Sequence, residues 1–166
     1  MSKVLVTGGT GYIGSHTVVD LINNGYTVVT IDNHVNSFEK GPLEGIKKIT
    51  GKKPFHYNVD LCDKEKTKQV FEDHPDIDAV IHFAALKAVG ESTVKPMLYF
   101  DNNMKSLLNT LGLCEEFGVK RFIFSSSCTV YGQPDTLPVT ETSPKKPAES
   151  PYGNTKQIGE EIIQDT

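Results

Sequence analysis

A doubly wound parallel sheet of the α/β class, with helices on both faces, is the fold the sequence predicts, and three observations predict it. Short runs rich in Val and Ile recur between longer stretches with helical spacing. Those runs lack strict apolar-polar alternation, as expected of strands covered on both faces. A glycine-rich loop also follows the first run and opens directly into a helix. The expected order is β-α-β-α-β-α-β-α-β-α, and right-handed crossovers fold it into strand order 3-2-1-4-5.

The candidate strands are Lys3 to Thr7 (KVLVT), Thr27 to Ile31 (TVVTI), Phe55 to Asn58, Asp78 to Phe83 (DAVIHF) and Arg121 to Ser125 (RFIFS). The first helix starts near Tyr12 and ends by Asn24, because Gly25 suits the left-handed residue that closes a helix. Further helices are expected near Phe38 to Thr50, Lys64 to Asp73, Pro96 to Phe117 and Pro151 to Gln164. In the fourth, Met104, Leu107, Leu108, Leu111 and Leu113 make a broad apolar face, and Gly118 is the stop. Residues 133–151 hold five of the nine prolines and read as a long surface loop.

At 166 residues the chain is expected to be one domain. With 37% hydrophobic and 23% charged residues it carries too much apolar material for disorder. The net charge is -4 and the basic residues are scattered, which argues against a nucleic-acid footprint. No run approaches the length of a spanning helix and the N-terminus lacks a signal-peptide layout, so a cytoplasmic protein without a membrane partner is expected. Cys62, Cys114 and Cys128 form no C-x-x-C pair, so they read as reduced and mostly buried, with no metal site. The last helix is still running at Asp165-Thr166, which leads to the expectation of a fold truncated before its last strands and substrate domain.

The loop Thr7-Gly8-Gly9-Thr10-Gly11-Tyr12-Ile13-Gly14 reads both as G-x-G-x-x-G and as G-x-x-G-x-x-G. Glycine there permits a tight turn, close approach of backbone N-H groups to a pyrophosphate, and close helix-strand packing. The helix N-terminus then offers partial positive charge, so an acidic protein can bind an anion. Asp32 follows the second strand, where a carboxylate can accept hydrogen bonds from an adenosine ribose, favouring NAD over NADP in a Rossmann-type site. Asp60 after the third strand suits an adenine amino group with Leu61 packing the ring, and on spacing alone it equally suits a cap for the next helix. His82 reads as a satisfied core histidine rather than a catalytic one.

Ser125-Ser126-Ser127 ends the fifth strand, and Pro151-Tyr152-Gly153-Asn154-Thr155-Lys156 opens the last helix. Tyr152 and Lys156 share one helical face, and the lysine favours the ionised phenol electrostatically, so that Tyr152 can serve as general base. Ser127 can hydrogen-bond a reacting hydroxyl. Taken singly, such residues are ordinary helix and turn decoration; their order behind the glycine loop is what raises them.

The residues Thr7 to Gly14, His82 to Ser92 (HFAALKAVGES), Ser125 to Gly132 (SSSCTVYG) and Ser150 to Lys156 (SPYGNTK) resemble the extended short-chain dehydrogenase/reductase family, and within it the UDP-glucose 4-epimerases. The resemblance covers the whole chain, and the run Leu86 to Ser92 is its sharpest part. It implies Gly8, Gly11, Tyr12, Ile13 and Gly14 at the NAD pyrophosphate, Asp32, Asn33, Asn36 and Ser37 at the adenosine ribose, and Asp60 with Leu61 at adenine. Phe83, Ala84, Lys87 and Asn102 would line the cofactor further along, with Tyr152 and Lys156 beyond. Ser127, Tyr152 and Lys156 would be catalytic in a reaction that oxidises a UDP-sugar at C4 and returns the hydride to the other face, interconverting UDP-galactose and UDP-glucose. The helices near 96–117 and 151–164 correspond to those that pair in homodimers of the family, leaving dimerisation through them open.

Ala85 stands where the family often has Gly, and Cys128 where it often has Ala; neither removes a functional group. Family members run about twice this length, and the part without a counterpart here resembles the grip on the uridine nucleotide. Two other readings remain: a non-catalytic NAD-binding module, and a related sugar-nucleotide dehydratase or reductase. Against a dehydratase, Ser127-Cys128-Thr129 lacks the carboxylate that family dehydratases place after the fifth strand.

Overall fold

Alternate residues of the central strands face opposite sides, and both sides are buried. Val4, Val6 and Val28 pack with Val18, Ile22 and Ile46 on one face. Leu5, Val29 and Ile31 pack with Val70, Phe71, Leu113 and Cys114 on the other. That two-sided burial explains why the runs do not alternate in polarity.

The computed structural model describes residues 2–166. Five strands, β1 (Lys3–Thr7), β2 (Thr27–Asp32), β3 (Phe55–Asn58), β4 (Ile77–His82) and β5 (Arg121–Phe124), form one sheet in the order β3-β2-β1-β4-β5. All four pairings are parallel. The helices are α1 (Tyr12–Asn23), α2 (Lys40–Thr50), α3 (Lys64–Asp73), α4 (Val89–Val94), α5 (Pro96–Glu116) and α6 (Pro151–Asp165), with a 3-10 turn at Cys128–Tyr131. Strand order and the five anticipated helices match expectation to within two residues at each end. The expected strict alternation does not hold, because α4 and the 3-10 turn were not anticipated. Both are under two turns long, too short to show a helical period.

The chain divides into two compact units. The first runs to Ala84 and adds Ser106–Phe124; it holds the whole sheet with α1, α2, α3 and the later part of α5. The second comprises Ala85–Lys105 and Ser125–Thr166, with α4, the start of α5, the proline-rich loop and α6. In it α4 packs against α6. Tyr99 is fully buried and gives its hydroxyl to Glu91 Oε2 at 2.9 Å.

Only Cys114 of the three free cysteines is buried; Cys62 is intermediate and Cys128 exposed. The expectation that most are buried fails because Cys62 and Cys128 lie in connections beyond strand ends, not inside core elements. Burial pushes the Cys114 thiol up to about 12. No described helix is long and apolar enough to cross a membrane. His82 is 1% exposed, lies 3.0 Å from Thr7 Oγ1 through Nδ1 and stacks on Phe122 and Phe124, a core histidine as expected.

Phe71 is fully buried and meets Phe117 with ring centroids 5.5 Å apart. Phe71→Ala is expected to cost about 3 to 5 kcal/mol, read as a lower urea midpoint at unchanged m-value. A loss under about 1 kcal/mol would mean that this face of the sheet is loosely packed.

Candidate functional site

In the first unit the strand ends converge on the glycine loop. Gly8 has φ +68°, a left-handed conformation that disfavours side chains, and donates its N-H to Ile31 O at 2.8 Å. A Cβ on Gly14 would lie 2.1 Å from Gly8 O, so α1 can begin this close to β1 only with glycine there. Behind the loop, Phe83 N donates to Thr7 O at 3.2 Å and Ala84 N to Thr7 Oγ1 at 3.3 Å.

Helix α1 has no side-chain cap and no acidic residue in its first turn. The first N-H groups of a helix have no partner within it, so Tyr12, Ile13 and Gly14 leave donors for an anion. Tyr12 is 80% and Ile13 58% exposed, two large apolar side chains in the open at the same spot. A loop that cannot take side chains beside an uncapped helix start fits a pyrophosphate.

Asp32 is held firmly. Its Oδ2 accepts from Thr10 N at 3.1 Å, and Oδ1 accepts from His34 N at 2.9 Å and Ser37 Oγ at 3.1 Å. Burial pushes its carboxyl up, and these hydrogen bonds outweigh burial and hold it below the usual carboxylate value. A carboxylate offers about four acceptor sites, so capacity remains for a ribose hydroxyl. Asn33 Nδ2 donates to Asp60 Oδ2 at 3.1 Å, and Asp60 Oδ1 accepts from Cys62 N at 2.8 Å. Asp60 is not the cap of α3; Asp63 is, accepting from Lys66 N. Asn36 is exposed. Leu61 is only 5% exposed and its side chain belongs to the core, which leaves contact with a base to Asp60 beside it.

Sequence reasoning missed Thr10, His34 and His56. Thr10 Oγ1 lies 2.8 Å from Ser37 Oγ and 3.2 Å from His34 Nδ1, and His34 Nε2 lies 3.1 Å from His56 Nε2. His34 has φ +58°, rare for a non-glycine residue. The loop after Asp32 is thus braced through side chains that no local pattern brings together.

Ser127, Tyr152 and Lys156 all lie in the second unit. Ser150 caps α6 by accepting from Gly153 N at 3.1 Å, and Pro151 sits at the helix start where its missing N-H costs nothing. Lys156 is 4% exposed and donates to Ser125 O at 2.8 Å, which ties α6 to the chain two residues before Ser127. Burial pulls its ammonium down to about 8. Ser127 Oγ accepts from Thr129 Oγ1 at 2.9 Å and Thr129 N at 3.3 Å, capping the 3-10 turn. Its own proton remains for an acceptor. Tyr152, 9% exposed, stands one turn before Lys156 on α6.

Lys87 is exposed, and Asn102 Nδ2 donates to Asn103 Oδ1 at 3.0 Å. Asn103, also missed, is 5% exposed. It accepts from Leu86 N at 2.8 Å and donates to Leu86 O at 3.0 Å and Thr155 Oγ1 at 3.1 Å. A polar residue on the buried stripe of a helix was its only sequence signal. Among the described residues no cluster of His, Cys, Asp and Glu could hold a metal.

A family model described as GDP-mannose 4,6-dehydratase matches residues 5–166. The chain is 49% identical to the UDP-glucose 4-epimerase of Drosophila melanogaster over 167 residues, 98% of this chain and 47% of that protein. It is likewise 49% identical over 162 residues to the UDP-glucose 4-epimerase of Bacillus subtilis, again 98% and 47%. The crystal structure of UDP-glucose 4-epimerase from Bifidobacterium longum in complex with NAD+ and UDP matches with TM-score 0.95 and 47% identity, covering 99% of this chain and 48% of that one. The chain spans about half the length of the relatives it matches. With the doubly wound sheet, the glycine loop and the Ser-Tyr-Lys set all falling inside the matched residues, the chain belongs to the family described as GDP-mannose 4,6-dehydratase.

Proposed function

We propose that this chain is the NAD-binding and catalytic part of a UDP-glucose 4-epimerase. The observation that carries the reading is the Ser127, Tyr152 and Lys156 set in one unit, with Cys128 beside it where elimination of water would need a carboxylate. A dehydratase is thereby disfavoured, although the family's description names one.

Gly8, Gly11, Tyr12, Ile13 and Gly14 would hold the pyrophosphate, Asp32, Asn33, Asn36 and Ser37 the adenosine ribose, and Asp60 the adenine. Phe83 and Ala84 back the loop, and Lys87, Asn102, Tyr152 and Lys156 are the cofactor residues of the second unit. NAD, when bound, supplies a reversible hydride acceptor for C4 of the sugar. Tyr152 takes the proton of the sugar 4'-hydroxyl and later returns it. Ser127 donates its free proton to that same oxygen. Lys156, held by Ser125 O, fixes the helix turn that presents Tyr152. The proton taken by Tyr152 would return to the same oxygen, and the proposed net change is inversion at C4 with no net redox change.

The grip on the uridine nucleotide we assign to the half of the relatives that this chain does not span. Dimerisation through α5 and α6 belongs to the same reading, and the exposed Met97, Leu98 and Leu108 of α5 fit it. Free thiols at Cys62, Cys114 and Cys128 fit a cytoplasmic setting.

The test is UDP-galactose 4-epimerase activity of the protein from its native source, beside Tyr152→Phe. The wild type is expected to interconvert the two UDP-sugars without net NADH, and the variant to lose about 100-fold or more in kcat, the usual contribution of a general base, while still binding NAD. NAD binding without turnover would favour the non-catalytic module; released keto sugar would favour a dehydratase.

Asp32→Ala is expected to weaken NAD by about tenfold or more, on the scale of about 1.5 to 3 kcal/mol for a hydrogen bond to a charged group. Fluorescence titration with NAD and NADP checks this, and equal affinity in variant and wild type would remove Asp32 from the ribose site.

Lys156 bears on stability as well as catalysis. Its folded value of about 8 lies below the ordinary 10.5, so the unfolded chain binds more protons between them and stability rises with pH across that window. Urea unfolding of Lys156→Met against wild type, in which other groups cancel, should show the wild type gaining about 2 kcal/mol on the variant between pH 7 and pH 9.5. A pH-independent difference would mean that burial leaves this lysine unperturbed.

A further inference from the structure

Three side chains of α6, at positions 156, 157 and 160, reach the segment after β5. Lys156 donates to Ser125 O, and Gln157 donates to Val130 O at 2.8 Å and accepts from Ala148 N at 3.2 Å. Glu160 Oε1 accepts from Ser126 Oγ at 2.5 Å. The other oxygen of Glu160 faces Lys145 Nζ, from the proline-rich loop, at 2.5 Å. The Glu160 side chain is only 19% exposed, so its charge gives up water to make these contacts. A surface ion pair with Lys145 alone would not require that burial. The first and second residues of the serine run are therefore each pinned to α6, one through its carbonyl and one through its hydroxyl. Ser127, the next residue, can move only as far as those anchors allow.

We infer that Glu160 is a positioning residue, which acts through Ser126 to hold Ser127 where its hydroxyl meets the substrate oxygen. The inference rests on the proposed epimerase reading for its substrate, and not for its geometry. A displacement of about an ångström in a positioned group can cost on the order of 100-fold in rate, so the loss should fall on kcat and leave substrate binding largely intact.

The experiment uses the protein in its native length, with UDP-galactose as substrate. Glu160→Ala and Ser126→Ala are each expected to lower kcat about tenfold or more with KM within about twofold. The double variant should be no slower than either single one, because both remove one contact. Glu160→Gln, which keeps an acceptor for Ser126, should restore most of the rate, and Lys145→Met should leave it unchanged. Additive losses, a Glu160→Gln as slow as Glu160→Ala, or equal damage from Lys145→Met would overturn the inference.

Amide hydrogen exchange at Thr129 and Val130, which donate to Ser127 Oγ and Ser127 O, gives a readout independent of turnover. It should quicken in Ser126→Ala and Glu160→Ala and stay near wild type in Glu160→Gln and Lys145→Met. Were the wild type to bind NAD and leave UDP-galactose unchanged, the epimerase reading would fail, and this exchange pattern alone would decide the role of Glu160. Unchanged exchange in all four variants would reject it.

Discussion

Helix α1 begins almost in contact with the end of β1, and that closeness organises the first unit. The carbonyl of Gly8 occupies the space a Cβ of residue 14 would need. Because the helix starts there, its unpartnered N-H groups open where β1, β2 and β4 end, the place where a doubly wound sheet binds ligands. The register supports the same geometry: Thr7 pairs with Ile31 on one side and with His82 on the other. Asp32 and Phe83, one residue further along each neighbour, therefore arrive beside the loop without any long-range search.

The second unit solves a different problem, that of holding a cation out of water. Lys156 is almost fully buried and its proton is loosened by that burial. The carbonyl of Ser125 accepts from its ammonium at 2.8 Å, while burial strips the charge of most of its water. A structural role would be met more cheaply by methionine. A lysine this deeply buried, with its proton loosened and one turn from a buried tyrosine, is a pattern found at functional sites more often than in plain cores.

The sheet was legible because its strands are buried on both faces, and the helices because their stop signals are local: Gly25 and Gly118 both take positive φ just past α1 and α5. The glycine loop, Asp32 and the Tyr152-Lys156 spacing were legible for the same reason, since each requirement acts over a few residues. What escaped was non-local or short. Asn103 touches Leu86 and Thr155, 17 and 52 positions away, and Glu160 touches Ser126, 34 positions away. The His34-His56 contact brings the loop after β2 back against the second residue of β3, whose register partner is Thr30, so strand pairing alone does not foretell it. Leu61 follows Asp60 and reads as packing against a base; its side chain is in the core, which local sequence does not reveal.

Membership of a family described by a dehydratase and likeness to epimerases are compatible, because fold and cofactor chemistry are shared while the outcome depends on what happens after oxidation. A keto group at C4 acidifies the neighbouring C-H, and elimination then needs an acid to protonate the departing hydroxyl. At Cys128 the side chain is a thiol, exposed at the start of the 3-10 turn and capped behind by Ser127. A thiol is a weak hydrogen-bond donor and does not replace a carboxylic acid. The absence of a carboxylic acid at position 128 therefore fits the proposed epimerase reading better than elimination, because an epimerase needs only the return of the hydride after oxidation.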